Sequence, residues 1–233
     1  MENRQVAQKL IEDGAFIIPL FPNSKKNGDT DILDRIYPAT DVGENDNVGM
    51  NLGLSGIYAI DGDTKDGIHF WNIWLPQDTT KHIRVYPDGR REVVHYLFKS
   101  NGVVNENNPL GKDAKENVEL LVKGNLVAYG TTIHKQTNEP MKRLIDSKHA
   151  IKPFNDSIFN VYKKVCFASA IAPHLKSANT GALALDSCLW RYCKDWTDEE
   201  REDFLFDIFS YVLPNDRDST RAKMRRIIKC NNN

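Results

Sequence analysis

The chain has 233 residues, 40% of them hydrophobic, 27% charged and 9% aromatic, with 31 Lys plus Arg against 32 Asp plus Glu. That length suits one large domain or two small ones, and the composition is globular rather than disordered. A formal net charge of -1 supplies no bulk positive field, so nucleic-acid binding would have to come from local patches; no run of about 18 apolar residues exists to span a membrane.

In chain order, MENRQVAQKLIEDG is charged and lacks an apolar signal core, which gives the expectation of an intracellular, cytoplasmic protein with no membrane partner. Val6, Leu10 and Ile11 fall at helical spacing, and Gly14 can stop that helix. AFIIPLFP, ended by Pro22, reads as a buried strand, and residues 23–31 have loop composition. VGMNLGL and IYAI, split by Ser55-Gly56, read as a hairpin or two adjacent strands. A short helix carrying Trp71 and Trp74 is expected over 66–75. Residues 83–86 and 93–98 read as strands joined by the turn Pro87-Asp88-Gly89. Residues 100–117, rich in Asn, Gly and Lys, read as a long exposed loop. VELLV and LVAYG, around Lys123-Gly124-Asn125, make another strand pair.

The character changes near residue 150, where strand signals give way to helical periodicity. Phe159, Val161, Tyr162, Val165 and Cys166 fit one helix, and residues 180–194 fit a second. Thr197-Asp198-Glu199-Glu200 is a capping-box pattern opening a third, and RAKMRRIIK forms a fourth. The expected organisation is an α+β domain over 1–150 with a central mixed sheet, then a small all-α bundle over 151–233. Cys166, Cys188, Cys193 and Cys230 form no CxxC and have no His at zinc-finger spacing, so they read as thiols rather than a structural metal site.

The strongest local chemistry is IYAIDGDTKDG. Alternate residues of an extended segment face one side, so Asp61 and Asp63 project together at a strand end. Like charges that close are costly unless a cation offsets them, and hard oxygen donors favour Mg²⁺ or Mn²⁺. Asp-Gly-Asp is also ordinary turn chemistry. His95 lies in an apolar strand, as a core residue or facing a cleft. Glu119 is an acid in another apolar strand and needs a cation, a metal or exposure. DRDSTRAKMRRIIK is the densest basic stretch, fit to follow a phosphate backbone or to complement a helix dipole. Trp190, Tyr192 and Trp196 are suited to stacking bases or to filling a core.

Taken in order, these pieces resemble the plasmid- and phage-type DNA primase-polymerases of the archaeo-eukaryotic primase superfamily, over about residues 5–145. GAFIIPLFPNSKK resembles that family's opening segment, and Ala39-Thr40-Asp41 its short Ala-Thr element. NVGMNLGLSGIYAIDGD resembles the stretch that runs into its Asp-x-Asp/Glu metal motif. RVYPDGRREVVHYLF is similar to the strand-turn-strand bearing its phosphate-contacting His. VELLVKGNLVAYGTTIH is similar to its third carboxylate strand and the Ser-x-His element that follows.

The resemblance implies an RRM-like primase-polymerase domain with a two-metal site, Asp61, Asp63 and Glu119 binding Mg²⁺ or Mn²⁺ and His95 holding the nucleotide triphosphate. It implies Lys25 or Lys26 contacting phosphate or DNA, and Thr131 and His134 near the nucleotide or sugar. Where the family has Gly-Gly or Ser before its His, this chain has Arg90-Arg91-Glu92-Val93-Val94, and Arg90 and Arg91 could contact phosphate directly. Arg221, Lys223, Arg225 and Arg226 of the last helix would contact DNA. The implied activity is template-directed nucleotidyl transfer on single-stranded DNA with NTPs or dNTPs. No G-x-x-x-x-G-K-[ST] is present, so a replicative helicase would act in trans or on a longer parent chain. The competing readings are a degenerate single-strand-binding module, a metal-dependent nuclease and a sugar-nucleotide transferase. The last would need more βα units than the 60 residues before Asp61 supply.

Overall fold

A computed structural model describes residues 2–28, 31–62, 64–102, 104–110, 118–134, 137–146 and 148–231. The chain is α+β, and its contacts fall into two compact units, Met1–Cys166 and Phe167–Asn233. In the first unit, α1 (Glu2–Glu12) buries Ala7 and packs Leu10 and Ile11 against the core. The helix ends at Gly14, whose φ of 87° a residue with a side chain rarely adopts.

Among the described residues nine strands follow: β1 (Ile17–Leu20), β2 (Asn47–Asn51), β3 (Ile57–Gly62), β4 (Lys81–Val85), β5 (Arg91–Lys99), β6 (Val118–Leu121), β7 (Asn125–Ile133), β8 (Pro140–Asp146) and β9 (Lys152–Pro153). They form one sheet in the order β1-β2-β7-β8-β4-β5-β3-β6. Every pairing is antiparallel except that of β9, which lies parallel against the end of β5. Pro19 is accommodated because β1 is an edge strand, where a missing N–H breaks no ladder.

The connections require this sheet to curl. β6 ends one edge, yet only residues 122–124 join it to β7, five strand positions away. Four Cα steps reach at most about 15 Å, whereas five strand spacings in a flat sheet are about 24 Å. The β2–β7 ladder runs on to the β6–β7 turn, where Leu52 N–H donates to the Gly124 carbonyl at 2.9 Å.

This order corrects two expected pairings. β2 and β3 are neither a hairpin nor neighbours: β2 lies between β1 and β7, and β3 between β5 and β6. The chain between them forms a helical turn, α2 (Leu52–Ser55), capped by Asn51 and closed by Gly56 at φ 60°. It redirects the chain instead of folding it back. β6 and β7 do not pair either, because asparagine side chains occupy the free edge of β6. Asn108 Oδ1 accepts from Leu120 N at 3.0 Å, and Asn107 Oδ1 accepts from Val122 N at 2.7 Å.

The expected exposed loop holds over its described residues, Asn101, Gly102, Asn105, Glu106, Asn107 and Leu110 being exposed and outside any helix or strand, with one exception. Val104 is buried and its carbonyl accepts from the Tyr58 hydroxyl, while Val103 and residues 111–117 lie outside the described residues. β8 had no sequence signal, since Met141, Arg143 and Ile145 alternate with Lys142, Leu144 and Asp146 and leave neither face apolar.

The face of β3 that carries Tyr58 and Ile60 is closed by aromatic rings. Tyr58 meets Phe154 edge-on at 5.1 Å, and Tyr96 meets Trp71 of α3 (Lys65–Trp74) at 5.2 Å. The opposite face is organised in rows. Ala59 pairs with Leu97 on β5 and Leu121 on β6, and all three join an apolar cluster with Met50 and Leu126. One pleat further on, the row is His95, Asp61 and Glu119.

The helix α4 (Asp156–Ile171) carries the boundary between the units. In the second unit, α5 (Ala178–Tyr192), α6 (Asp198–Val212) and α7 (Arg221–Asn231) pack on one another. Leu189, Phe204, Ile208, Phe209, Met224 and Ile227 supply the core. The capping box at Thr197 forms with both of its hydrogen bonds. Arg201 reaches the fully buried Asp186 at 3.0 Å, an ion pair with almost no solvent contact. Among the described residues, no helix is long and apolar enough to cross a membrane.

Candidate active site

Three of the residues singled out in the sequence stand directly opposite one another on adjacent strands. Asp61 of β3 is the register partner of His95 on β5 and of Glu119 on β6. Residues opposed in antiparallel strands have Cα atoms about 4.5–5.5 Å apart, so the row is compact by construction. Asp61 Oδ2 lies 3.2 Å from His95 Nε2. Burial alone would raise the Asp61 carboxyl, but the His95 hydrogen bond and the charges of His95, Lys25 and Arg84 outweigh it and hold Asp61 below the ordinary range. Glu119 is half-buried, with Asn108 Nδ2 3.5 Å from Oε1.

Side chains that the sequence reading passed over complete the site. His82 on β4 is opposite His95, with the two Nδ1 atoms 2.7 Å apart and the rings nearly parallel. Burial, with the charges of His95 and Arg143, pushes the His82 pKa well down, so this ring is neutral. Arg84 on β4 is the register partner of Arg143 on β8. Arg143 is 4% exposed and donates from Nε to Thr132 Oγ1 at 3.1 Å. Its pKa falls to about 10, first through burial and then through the like charge of Arg84. Glu92 lies 3.4 Å from Arg84 Nε and accepts from the Tyr86 hydroxyl at 2.8 Å. A half-buried Arg84 beside the buried Arg143, faced by Asp61 and Glu92, is an environment that can also take an anion.

The remaining expected residues divide. Lys25 is exposed, but its charge reaches Asp61 and His82. Arg90 stacks over the Tyr86 ring at 3.9 Å, and the His134 ring is 6.2 Å from Tyr86. Both are thus linked to Arg84 through Tyr86 and Glu92. Arg91 is turned to Asp146 at 3.0 Å. The Thr131 backbone is bound at both N–H and carbonyl by the Asn47 side chain. Lys26 is exposed in the loop after β1. Asp63 lies outside the described residues.

On α7, Arg225 forms a two-point contact with Glu202 at 2.8 and 2.9 Å, Arg221 pairs with Asp203, and Lys223 lies 3.5 Å from Asp218. Arg226 is exposed. Trp190 is 56% exposed rather than packed in a core, and with Arg191 and Lys194 it lines a cavity of about 610 Å³. Trp196 does pack, edge-on to Phe204 at 5.3 Å.

Among the described residues, no three His, Cys, Asp or Glu side chains converge tightly enough to hold a metal ion. The described part of the candidate donor set is Asp61 and Glu119, two hard carboxylates directly opposed. Like charges so placed destabilise a sheet, and a divalent cation offsets that repulsion. The donor chemistry therefore fits Mg²⁺ or Mn²⁺. No protein-family model matches this chain, and no curated protein does.

Proposed function

We propose that this chain is a divalent-metal-dependent nucleotidyltransferase that copies single-stranded DNA, starting chains and extending them. The observation that carries the reading is the row His95–Asp61–Glu119 across three adjacent strands, with the opposed pair of half-buried Arg84 and buried Arg143 on the strands beside it. Carboxylates for cations next to cations for phosphates are what transfer of a nucleotidyl group needs.

Asp61 and Glu119, with Asp63, would hold the metal, which when bound supplies positive charge to phosphate oxygens. Arg84, Arg143 and Lys25 would take the triphosphate, and the Arg fork suits two phosphate oxygens at once. His95 would donate from Nε2 to a phosphate oxygen. Because the arginines are largely buried, their charges act at a lower effective dielectric than in water. They are fixed before the nucleotide arrives, so no reorganisation is needed as charge develops. Trp190, with Arg191 and Lys194, offers a stacking surface for a template base.

The test is a gel assay of synthesis on single-stranded DNA with labelled NTPs and dNTPs and Mg²⁺ or Mn²⁺. Products from the native chain, absent from Asp61→Ala and Asp63→Ala, are the expected result. Shortened template without new strand would make the protein a nuclease. Retained single-strand binding with no synthesis would reduce it to a DNA-binding module.

A further inference from the structure

A second concave surface lies within the first unit, away from the carboxylate row. α1, the sheet and residues 148–151, which follow β8, bound a cavity of about 1050 Å³. Ile57 on its floor and Asp61 are four residues apart on β3, about 13 Å of strand. The floor is the open side of the apolar cluster around Leu97. Met50, Ile57 and Ala128 are buried there, and half-buried Leu10, Ile145 and Ile151 pack against them. Both walls are held by bonds that need no ligand. Phe16 N donates to Ser55 Oγ at 2.9 Å just past the end of α1, and Thr80 Oγ1 donates to the His149 carbonyl at 2.5 Å.

Charge is unevenly spread around this groove. Among the described residues that line it, Lys9, Lys99, Lys142 and Lys148 face a single acid, Asp13, in a chain with 31 basic and 32 acidic side chains. All four lysines are exposed. Lys142 lies 4.0 Å from Glu2 and over the Tyr129 ring. Lys9, Lys99 and Lys148 form no ion pair among the described residues.

An apolar floor inside a cationic rim selects its occupant. A nucleic-acid backbone would match the lysines but leave the floor wet, and the aliphatic floor gives bases no aromatic platform. A fatty acid would cover the floor, but its one carboxylate meets only one of four lysines set on α1, β5, β8 and the segment after β8. A peptide with several carboxylates spaced among apolar side chains satisfies both parts. We propose that this groove docks an acidic, amphipathic peptide segment of a partner protein. The proposal does not depend on nucleotidyl transfer, and every readout below is of binding.

Selection of a random short-peptide phage library on the full chain should enrich sequences with several Asp or Glu among Leu, Ile, Val or Phe. One enriched peptide, synthesised with a fluorophore, is then the anisotropy probe. Lys9→Glu with Lys148→Glu reverses two exposed rim charges and should weaken binding at least tenfold, an effect that shrinks as salt rises. Ile151→Asn should weaken binding about tenfold at every salt concentration, the scale of one apolar side chain returned to water. Labelled oligothymidylate should bind the double variant as it binds the native chain. Melting temperatures show whether each variant is folded. If one is not, the peptide is changed instead: Gln at each acid, or Ser at each apolar residue, should weaken binding to the native chain to the same extent.

No enrichment of acidic, apolar-bearing sequences overturns the inference. So does an enriched peptide that either folded variant binds as tightly as the native chain, or whose Gln or Ser form binds the native chain unchanged. Oligothymidylate that displaces the peptide and itself loses affinity in the double variant would make the groove a nucleic-acid path. Palmitate that binds where no peptide is enriched would make it an acyl-chain pocket. Either result overturns the peptide assignment.

Discussion

Arg143 and Arg84 stand opposite each other on β8 and β4, and burial together with that like charge lowers the Arg143 pKa to about 10. Such a pair, only partly offset by Asp61 and Glu92, works against folding and is eased further when an anion binds, so stability and binding should move in opposite directions. Arg143→Met keeps much of the side-chain volume and removes the charge. We expect its urea midpoint to rise while affinity for pyrophosphate falls at least tenfold, as seen by calorimetric titration. A variant that loses both would make Arg143 a structural residue.

Cys166, whose Sγ lies 3.9 Å from the Val118 carbonyl, gives a second test at this scale. Burial pushes its thiol from 9.0 up to about 12. Below pH 9 the thiol is protonated folded or unfolded. Between 9 and about 12 only the unfolded chain releases the proton, so stability is lost as pH rises through that window. Cys166→Ala should therefore flatten the fall in urea midpoint above pH 9. At pH 8, a thiol reagent should modify the exposed Cys188 and Cys230 before Cys166.

At the scale of elements, the contact between β2 and β7 also holds the loop that bears Lys25. Asn47 Nδ2 donates to the carbonyls of Thr131 and Ser24 at 2.6 and 2.9 Å, and its Oδ1 accepts from Thr131 N at 2.8 Å. The side chain can lie there only because Gly130 has no Cβ, which would sit 2.0 Å from Asn47 Oδ1, and because Gly130 adopts φ 131°. Gly130→Ala is thus expected to cost about 2 kcal/mol or more, read from urea denaturation, and to weaken nucleotide binding by releasing the Lys25 loop. Asn47→Ala should weaken nucleotide binding in the same way with a smaller loss of stability, about 1–2 kcal/mol.

These elements also mark what could be read from the sequence. Apolar runs located β1, β3, β5, β6 and β7, and alternation put Asp61, His95 and Glu119 on strands. That the three form one row depends on register between strands far apart in the chain, which no local pattern carries. The turns after β2 and β6 were visible, but their strands take other partners because α2 and the Asn107–Asn108 pair intervene. His82 and Arg84 were legible in KHIRV, where polar residues alternate with Ile83 and Val85. Arg143 was not, because β8 mixes polar and apolar residues on both faces.

At the scale of the whole molecule, a net charge of -1 supplies no long-range attraction for DNA, so the strength and salt dependence of the proposed DNA binding would come from a few local cations. Three of the four basic residues expected on α7 are already committed: Arg221 to Asp203, Lys223 to Asp218 and Arg225 to Glu202. Arg191, Lys194 and Arg226 are the second unit's better candidates for phosphate. Each phosphate contact on a single strand contributes a slope of about -0.7 in log affinity against log salt, so three give about -2. We expect fluorescence anisotropy with labelled oligothymidylate to return a slope near that value, and Arg226→Ala to make it shallower by one contact. Arg225→Ala should leave the slope unchanged and lower the melting temperature, because it leaves Glu202 only the longer 3.9 Å contact with Arg221. Trp190→Ala should weaken binding about 5- to 100-fold at every salt concentration, since stacking is not screened. A slope of about -4 or steeper would instead mean that the α7 ion pairs open when DNA binds, and then Arg225→Ala would reduce it.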